Sequence, residues 1–243
     1  MKENNEVRVD LNNLIRVFDE RNDLYKGHTT PITGVIGEDL NAAIFRDYLL
    51  RKKIKKSVEV LPYPVNTRQE GGRGPRLDRW IKADNVLYQS EIKSWCSFQI
   101  GGYKLLSKTS EQETKKLASR KWEQELREHY QGIEEFGKVS KVLAKMKIPE
   151  ELTKQYKIAK PLVIHWMPIS NKDATPFFSS PVKKLGMGGQ FTRQIQKDFT
   201  EINYFSCSLY IRELISEGKK DINLSLPNVD IRMDTLKKLV NLK

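Results

Sequence analysis

Apolar residues first recur at helical spacing, then as short alternating or continuous runs. Leu11, Leu14, Ile15 and Phe18 lie on one stripe, and Asp10 stands before them as a cap, which predicts a helix over about 11–26. Residues 26–34 have loop chemistry. A second helix is predicted over 36–53, with one apolar row at Ile36, Leu40 and Ile44 and another at Ala42, Phe45 and Leu49. A helix that is apolar on more than one side is buried against a sheet. Glu38 shares a row with Ala42 and Phe45, so its carboxylate is expected to face inward.

Strands are predicted over 57–65, 76–83 and 86–95, with a Gly-rich polar loop at 66–75 and a turn at Asp84-Asn85. Residues 110–146 read as mostly helical, broken near Gly132 or Gly137. The continuous apolar run at 160–169 reads as a central strand. Residues 181–189 are loop, 190–201 helix, 203–214 strand or strand-to-helix, and 234–243 a short amphipathic helix. The order helix, three strands, helix, strand, helix, strand predicts an α/β fold with a mixed sheet flanked by helices. Without a repeat or a clear linker, one domain over 1–243 is the simplest division.

Composition narrows the class. The chain has 243 residues, with 43 Lys and Arg against 31 Asp and Glu, a net charge of +12. Such a surface favours polyanions, nucleic acid foremost. Cys96 and Cys207 form no CxxC pair, which argues against a disulfide framework or a structural zinc site. The first residues lack the order of a signal peptide, and no apolar run reaches the ~20 residues of a membrane span. A soluble cytoplasmic protein is expected.

The candidate chemistry lies in the 76–95 hairpin. Alternation puts Gln89, Glu91 and Lys93 on one strand face, with Glu91 and Lys93 roughly 7 Å apart along the backbone. Asp78 and Glu91 are each six residues from the Asp84-Asn85 turn, so antiparallel pairing about it sets Asp78 opposite Glu91 or close to it. Two carboxylates that close repel and lose hydration. A hard divalent cation reverses the balance, with Asp78, Glu91 and the Ile92 carbonyl as oxygen ligands. Lys93 would then orient or deprotonate the attacking water, or neutralise developing phosphate charge. That is equipment for metal-assisted phosphodiester hydrolysis.

Asp78…Glu91-Ile92-Lys93 resembles the signature of the PD-(D/E)xK nuclease superfamily, the restriction-endonuclease-like proteins. Leu77 stands where that signature has proline, and the nearest proline is Pro75. The resemblance covers about 36–95 by motif and 110–169 only by element order; within the one domain, 110–146 is a helical segment and 160–243 the remaining core and C-terminal elements. The resemblance implies an αβββαβ core, Mg²⁺ with Mn²⁺ as a substitute, and a helix glutamate, here Glu38, joining the metal site. It also implies a DNA endonuclease, DNA being preferred over RNA, in defence against foreign DNA, restriction-like cleavage or repair. A homodimer or a helper subunit fits double-strand cleavage. Arg73, Arg76, Arg79 and Gln89 are the expected nucleic-acid contacts.

Blander readings accompany these. The hairpin charges would also make a cross-strand salt-bridge cluster, and Glu38 a first-turn acid favoured by the helix dipole. The loops at 71–74 and 186–189 lack the ending of a phosphate-binding motif. His165, in an apolar strand, reads as a hydrogen-bonded core residue. Lys115, Lys116, Arg120 and Lys121 form a solvated face or line a groove for nucleic acid. A non-catalytic nucleic-acid-binding or interaction module with a nuclease-like fold is the competing function.

Overall fold

The computed structural model describes residues 6–18, 29–61, 65–66, 76–93, 140–143, 145–166, 175–181 and 199–226. Its centre is a six-stranded mixed sheet. The strands are β2 (Val58–Val60), β5 (Arg79–Ala83), β6 (Val86–Lys93), β7 (Ala159–His165), β9 (Glu201–Ser206) and β8 (Phe177–Pro181), in that spatial order. β2, β5 and β6 are antiparallel neighbours, β6, β7 and β9 run parallel, and β8 returns antiparallel on β9. Two small ribbons complete the strands. β1 (Glu6–Asp10) pairs with β10 (Asp221–Ser225), and β3 (Val65–Asn66) pairs with β4 (Arg76–Leu77).

Helix α1 (Leu11–Phe18) starts where expected, because the Asp10 carboxylate accepts from the Asn13 amide at 2.8 Å. Its predicted continuation over 19–26 lies outside the described residues. Helix α2 runs Thr29–Arg51, seven residues longer at its start than the predicted 36–53. Thr-Thr-Pro-Ile-Thr-Gly reads as loop by composition. Pro31, however, falls in the first turn, where its missing N–H breaks no helical bond. The helix ends as Lys53 turns left-handed (φ 53°), with Lys53 N–H on Leu50 O and Ile54 N–H on Leu49 O.

α2 packs on one sheet face. Ala42, Ile44, Phe45 and Leu49 bury against Ile81, Tyr88, Ile92, Ile164 and Phe205, and Phe45 meets the rings of Tyr88, Phe177 and Phe205 at 4.9–6.0 Å. The other face carries Trp80, Leu87, Val163 and Tyr204. It is covered by Val142 and Leu143 of the 3₁₀ turn Ser140–Leu143 and by Leu152 of α3 (Glu150–Thr153). β7 is buried along nearly all its length, as a central strand should be.

The 203–214 segment resolves into a strand and a helix. Ser206 ends β9 and caps α4 (Cys207–Ser216), its hydroxyl accepting from Leu209 N–H. β1, β8 and β10 have no counterpart in the sequence reading. The segments 110–139, 190–198 and 234–243, predicted helical, lie outside the described residues. Among the described residues, no helix is long and apolar enough to cross a membrane.

Candidate active site

The β5–β6 turn fixes the register of the hairpin. Ala83 pairs with Val86 across Asp84-Asn85, and the pairing runs back to Arg79 opposite Ser90. The predicted single strand over 76–83 is interrupted at Asp78. Asp78 N–H bonds to Ser90 O at 3.0 Å although Ser90 is already the partner of Arg79. Two residues therefore stand against one, a β-bulge, and such a bulge re-aims a side chain. The Asp78 carboxylate turns onto the next strand and accepts the Ile92 amide at 2.6 Å. A strand residue's N–H and C=O project to the same side, so the Ile92 carbonyl also opens toward Asp78.

Glu91 is fully buried, and its carboxylate pairs with Lys93 Nζ. Both residues lie on the face opposite α2, as alternation requires. In parallel pairing with β7, Lys93 stands beside His165, a buried residue in agreement with its reading as core. Gln89 shares that face but points into the interior, where its amide donates to Val142 O at 2.6 Å. Expected to contact nucleic acid, it instead fastens the 3₁₀ turn to β6.

Arg79 differs most from expectation. It is buried on the α2 face, with Nη2 2.8 Å from Asp39 Oδ1 and Nη1 donating to Asp78 O at 2.7 Å. Its guanidinium is committed inside the fold rather than presented to a phosphate. Glu38 approaches the same guanidinium at 3.7 Å and is about one-third exposed (34%). The deeply buried acid is Asp39, 1% exposed. Sequence reasoning missed it because α2 is enclosed on several sides, and one inward row does not select among them. Its proximity to buried Ala42 and Ala43, three and four residues on, was the available signal. Arg73 and the side chain of Arg76 lie outside what is described.

Glu38, Asp78, Glu91 and Lys93 thus lie toward the same end of the hairpin, on two faces of the sheet. Arg79, Asp39 and Glu38 come from the α2 side, Glu91 and Lys93 from the other, and Asp78 lies in the bulge between them. The donors are hard oxygens of the kind Mg²⁺ takes. Asp78 uses one carboxylate oxygen on Ile92, and its other has no hydrogen-bond partner among the described residues. The set is not drawn together as a cluster: among the described residues, no three His, Cys, Asp or Glu are grouped to hold a metal ion. Donor chemistry fits a divalent ion, provided Lys93 moves off Glu91.

Comparison with protein families, with curated proteins and with solved structures returns no match.

Proposed function

We propose that this chain is a divalent-metal-dependent nuclease of the PD-(D/E)xK type that hydrolyses phosphodiester bonds, in DNA more readily than in RNA. One observation carries the reading: a bulge turns the Asp78 carboxylate onto the Ile92 amide, beside the buried Glu91–Lys93 pair. The element order supports it, since α2 is followed by the antiparallel strands β2, β5 and β6 and then by β7 parallel to β6. The net charge of +12 suits a phosphate backbone.

Asp78, Glu91, the Ile92 carbonyl and Glu38 would hold the ion, Mg²⁺ or Mn²⁺. Bound there, it supplies Lewis acidity toward a phosphoryl oxygen and toward water. The protein's own groups do the rest. The Ile92 amide fixes the orientation of Asp78, leaving the other carboxylate oxygen for the ion. Lys93 compensates the Glu91 charge in the resting site. Once its Nζ leaves Glu91, it could act in either of two states: having given its proton to solvent, the neutral amine could take one from the attacking water, and still protonated it could face the charge developing on phosphate. Defence, restriction-like cleavage or repair in the cytoplasm suits such an enzyme, and double-strand cleavage would need a second active site.

The test is cleavage of plasmid, linear and single-stranded DNA and of RNA, with Mg²⁺, with Mn²⁺ and with EDTA. Asp78→Ala and Lys93→Ala are assayed beside the unaltered chain. Metal-dependent cleavage that both substitutions abolish is expected. Cleavage that survives both overturns the site. Binding of nucleic acid without cleavage under any condition favours the non-catalytic module. Mg²⁺ or Mn²⁺ should also raise the melting temperature, since a ligand that binds only the folded state stabilises it.

A further inference from the structure

We infer that Arg79 is a positioning residue for the Asp78 carboxylate, with Asp39 as its anchor. The functional half of this inference rests on the nuclease reading; the positional half rests on geometry alone.

Every polar group of Asp78 is held. Its N–H is bound to Ser90 O at 3.0 Å, its carboxylate accepts the Ile92 amide at 2.6 Å, and its carbonyl accepts Arg79 Nη1 at 2.7 Å. The last contact is the one a regular strand would not need. A bulge leaves its extra residue outside the ladder, and here the following side chain folds back to hold that residue's carbonyl. Asp39 holds the guanidinium from α2 at 2.8 Å, and Ser90 Oγ holds the Arg79 carbonyl at 2.7 Å. The plane of the Asp78 peptide is thereby fixed from helix and strand together.

Stability alone does not account for this arrangement. Replacing a buried ion pair by well-packed apolar side chains is often neutral or stabilising, and Arg79 continues the row of Ile81 and Ala83. Its Nε–H is buried with no acceptor among the described residues, a cost the fold bears for reach rather than saturation. Reach requires the fork. One guanidinium serves Asp39 and the Asp78 carbonyl from two different nitrogens, whereas the single ammonium of lysine is a point charge.

Two variants of the full chain test the inference. Arg79→Lys keeps a charge for Asp39 and loses the bridge; Arg79→Met combined with Asp39→Leu removes both members of that pair and leaves neither as an unpaired buried charge, so folding is retained. Hydrogen exchange of the Ile92 amide, followed by NMR, reports the Asp78 carboxylate whether or not the protein cleaves anything. Both variants should exchange Ile92 at least about tenfold faster than the unaltered chain, with Leu87 and Tyr88 unchanged. Where the unaltered chain cleaves DNA, kcat should fall by about a hundredfold with KM within roughly twofold, the signature of a misplaced reacting group rather than of lost binding. Unchanged Ile92 exchange in the double variant overturns the positional claim. Faster exchange with unaltered kcat overturns the functional one. A chain that cleaves nothing, yet shows the Ile92 effect, would sink the nuclease reading and leave the positioning intact.

Discussion

The two ends of the β5–β6 hairpin each carry an aspartate fastened at all three of its polar groups. At the turn, Asp84 N–H bonds to Ser57 O at 2.9 Å, and its carbonyl accepts Tyr156 Oη at 2.8 Å. Its carboxylate accepts the Ser57 and Lys56 amides at 2.8 and 3.1 Å. At the open end, Asp78 is held by Ser90, Arg79 and Ile92. The same three groups are fastened in both, and the surroundings differ. Asp84 is held by two amides and a phenol, so its charge serves to staple the β2 entry to the turn. Asp78 is held by one amide, keeps an oxygen uncommitted among the described residues, and stands amid Arg79, Glu38, Glu91 and Lys93. Asp84 is bonded as a staple; Asp78, with an oxygen to spare among charges of both signs, is the one the proposed function would use. A cavity of about 430 Å³ opens at the turn end, lined by Ser57, Glu59, Lys82 and Tyr156. Glu59 and Lys82 already pair there at 2.6 Å, and size alone does not make it the better candidate.

Exchanging the two aspartates for asparagine should break that symmetry most widely. Asp78→Asn is expected to cut metal-dependent plasmid cleavage by at least about a hundredfold, and Asp84→Asn to leave it within about twofold. Equal losses in the two variants would erase the distinction. The next largest effect concerns the charges around Asp78. Lys93→Ala removes the lysine from fully buried Glu91 and should cost about 3 kcal/mol in urea unfolding at pH 7. Glu91→Gln together with Lys93→Met should restore most of that stability and no cleavage.

The turn end has its own signature in pH. The Ser57 amide, followed by that of Lys56, holds the Asp84 carboxyl below the usual carboxylate range. Its contribution is complete above the unfolded pKa, near pH 4, and is lost as pH falls through the lower folded value. Melting temperature followed down through pH 4 should therefore drop less steeply in Asp84→Asn than in the unaltered chain. The smallest effect lies away from both ends. Tyr210→Phe removes a 2.5 Å hydrogen bond from α4 to Asp47 of α2. About 1 kcal/mol of stability should go, with cleavage unchanged; a change in cleavage would show that the α2–α4 contact communicates with the site.

Much of the hairpin was legible because its rules are local. A two-residue turn sets the register of its arms, and alternation assigns faces, so Glu91 and Lys93 fall together and Asp78 comes back toward them. The Asp10 cap and the strand-to-helix passage near Ser206 are local in the same sense. Gln89 shows where this stops: alternation names its face, and only the 3₁₀ turn brought over that face from more than fifty residues away makes it a buried donor rather than a surface contact. Arg79 was read as a surface cation for a related reason. Its row continues through Ile81 and Ala83 onto α2, but a basic residue at the start of a strand carries no sign that a buried acid awaits it.

The sequence by itself determined the mixed α/β order, the hairpin register and the meeting of Asp78 with the Glu91-x-Lys93 strand, because backbone periodicity and turn length decide these over a few residues. Tertiary structure decided the bulge at Asp78, the depth of Asp39, the partly exposed place of Glu38 and the β1–β10 ribbon. Each of these depends on which distant segment fills the space alongside, and no local period encodes that.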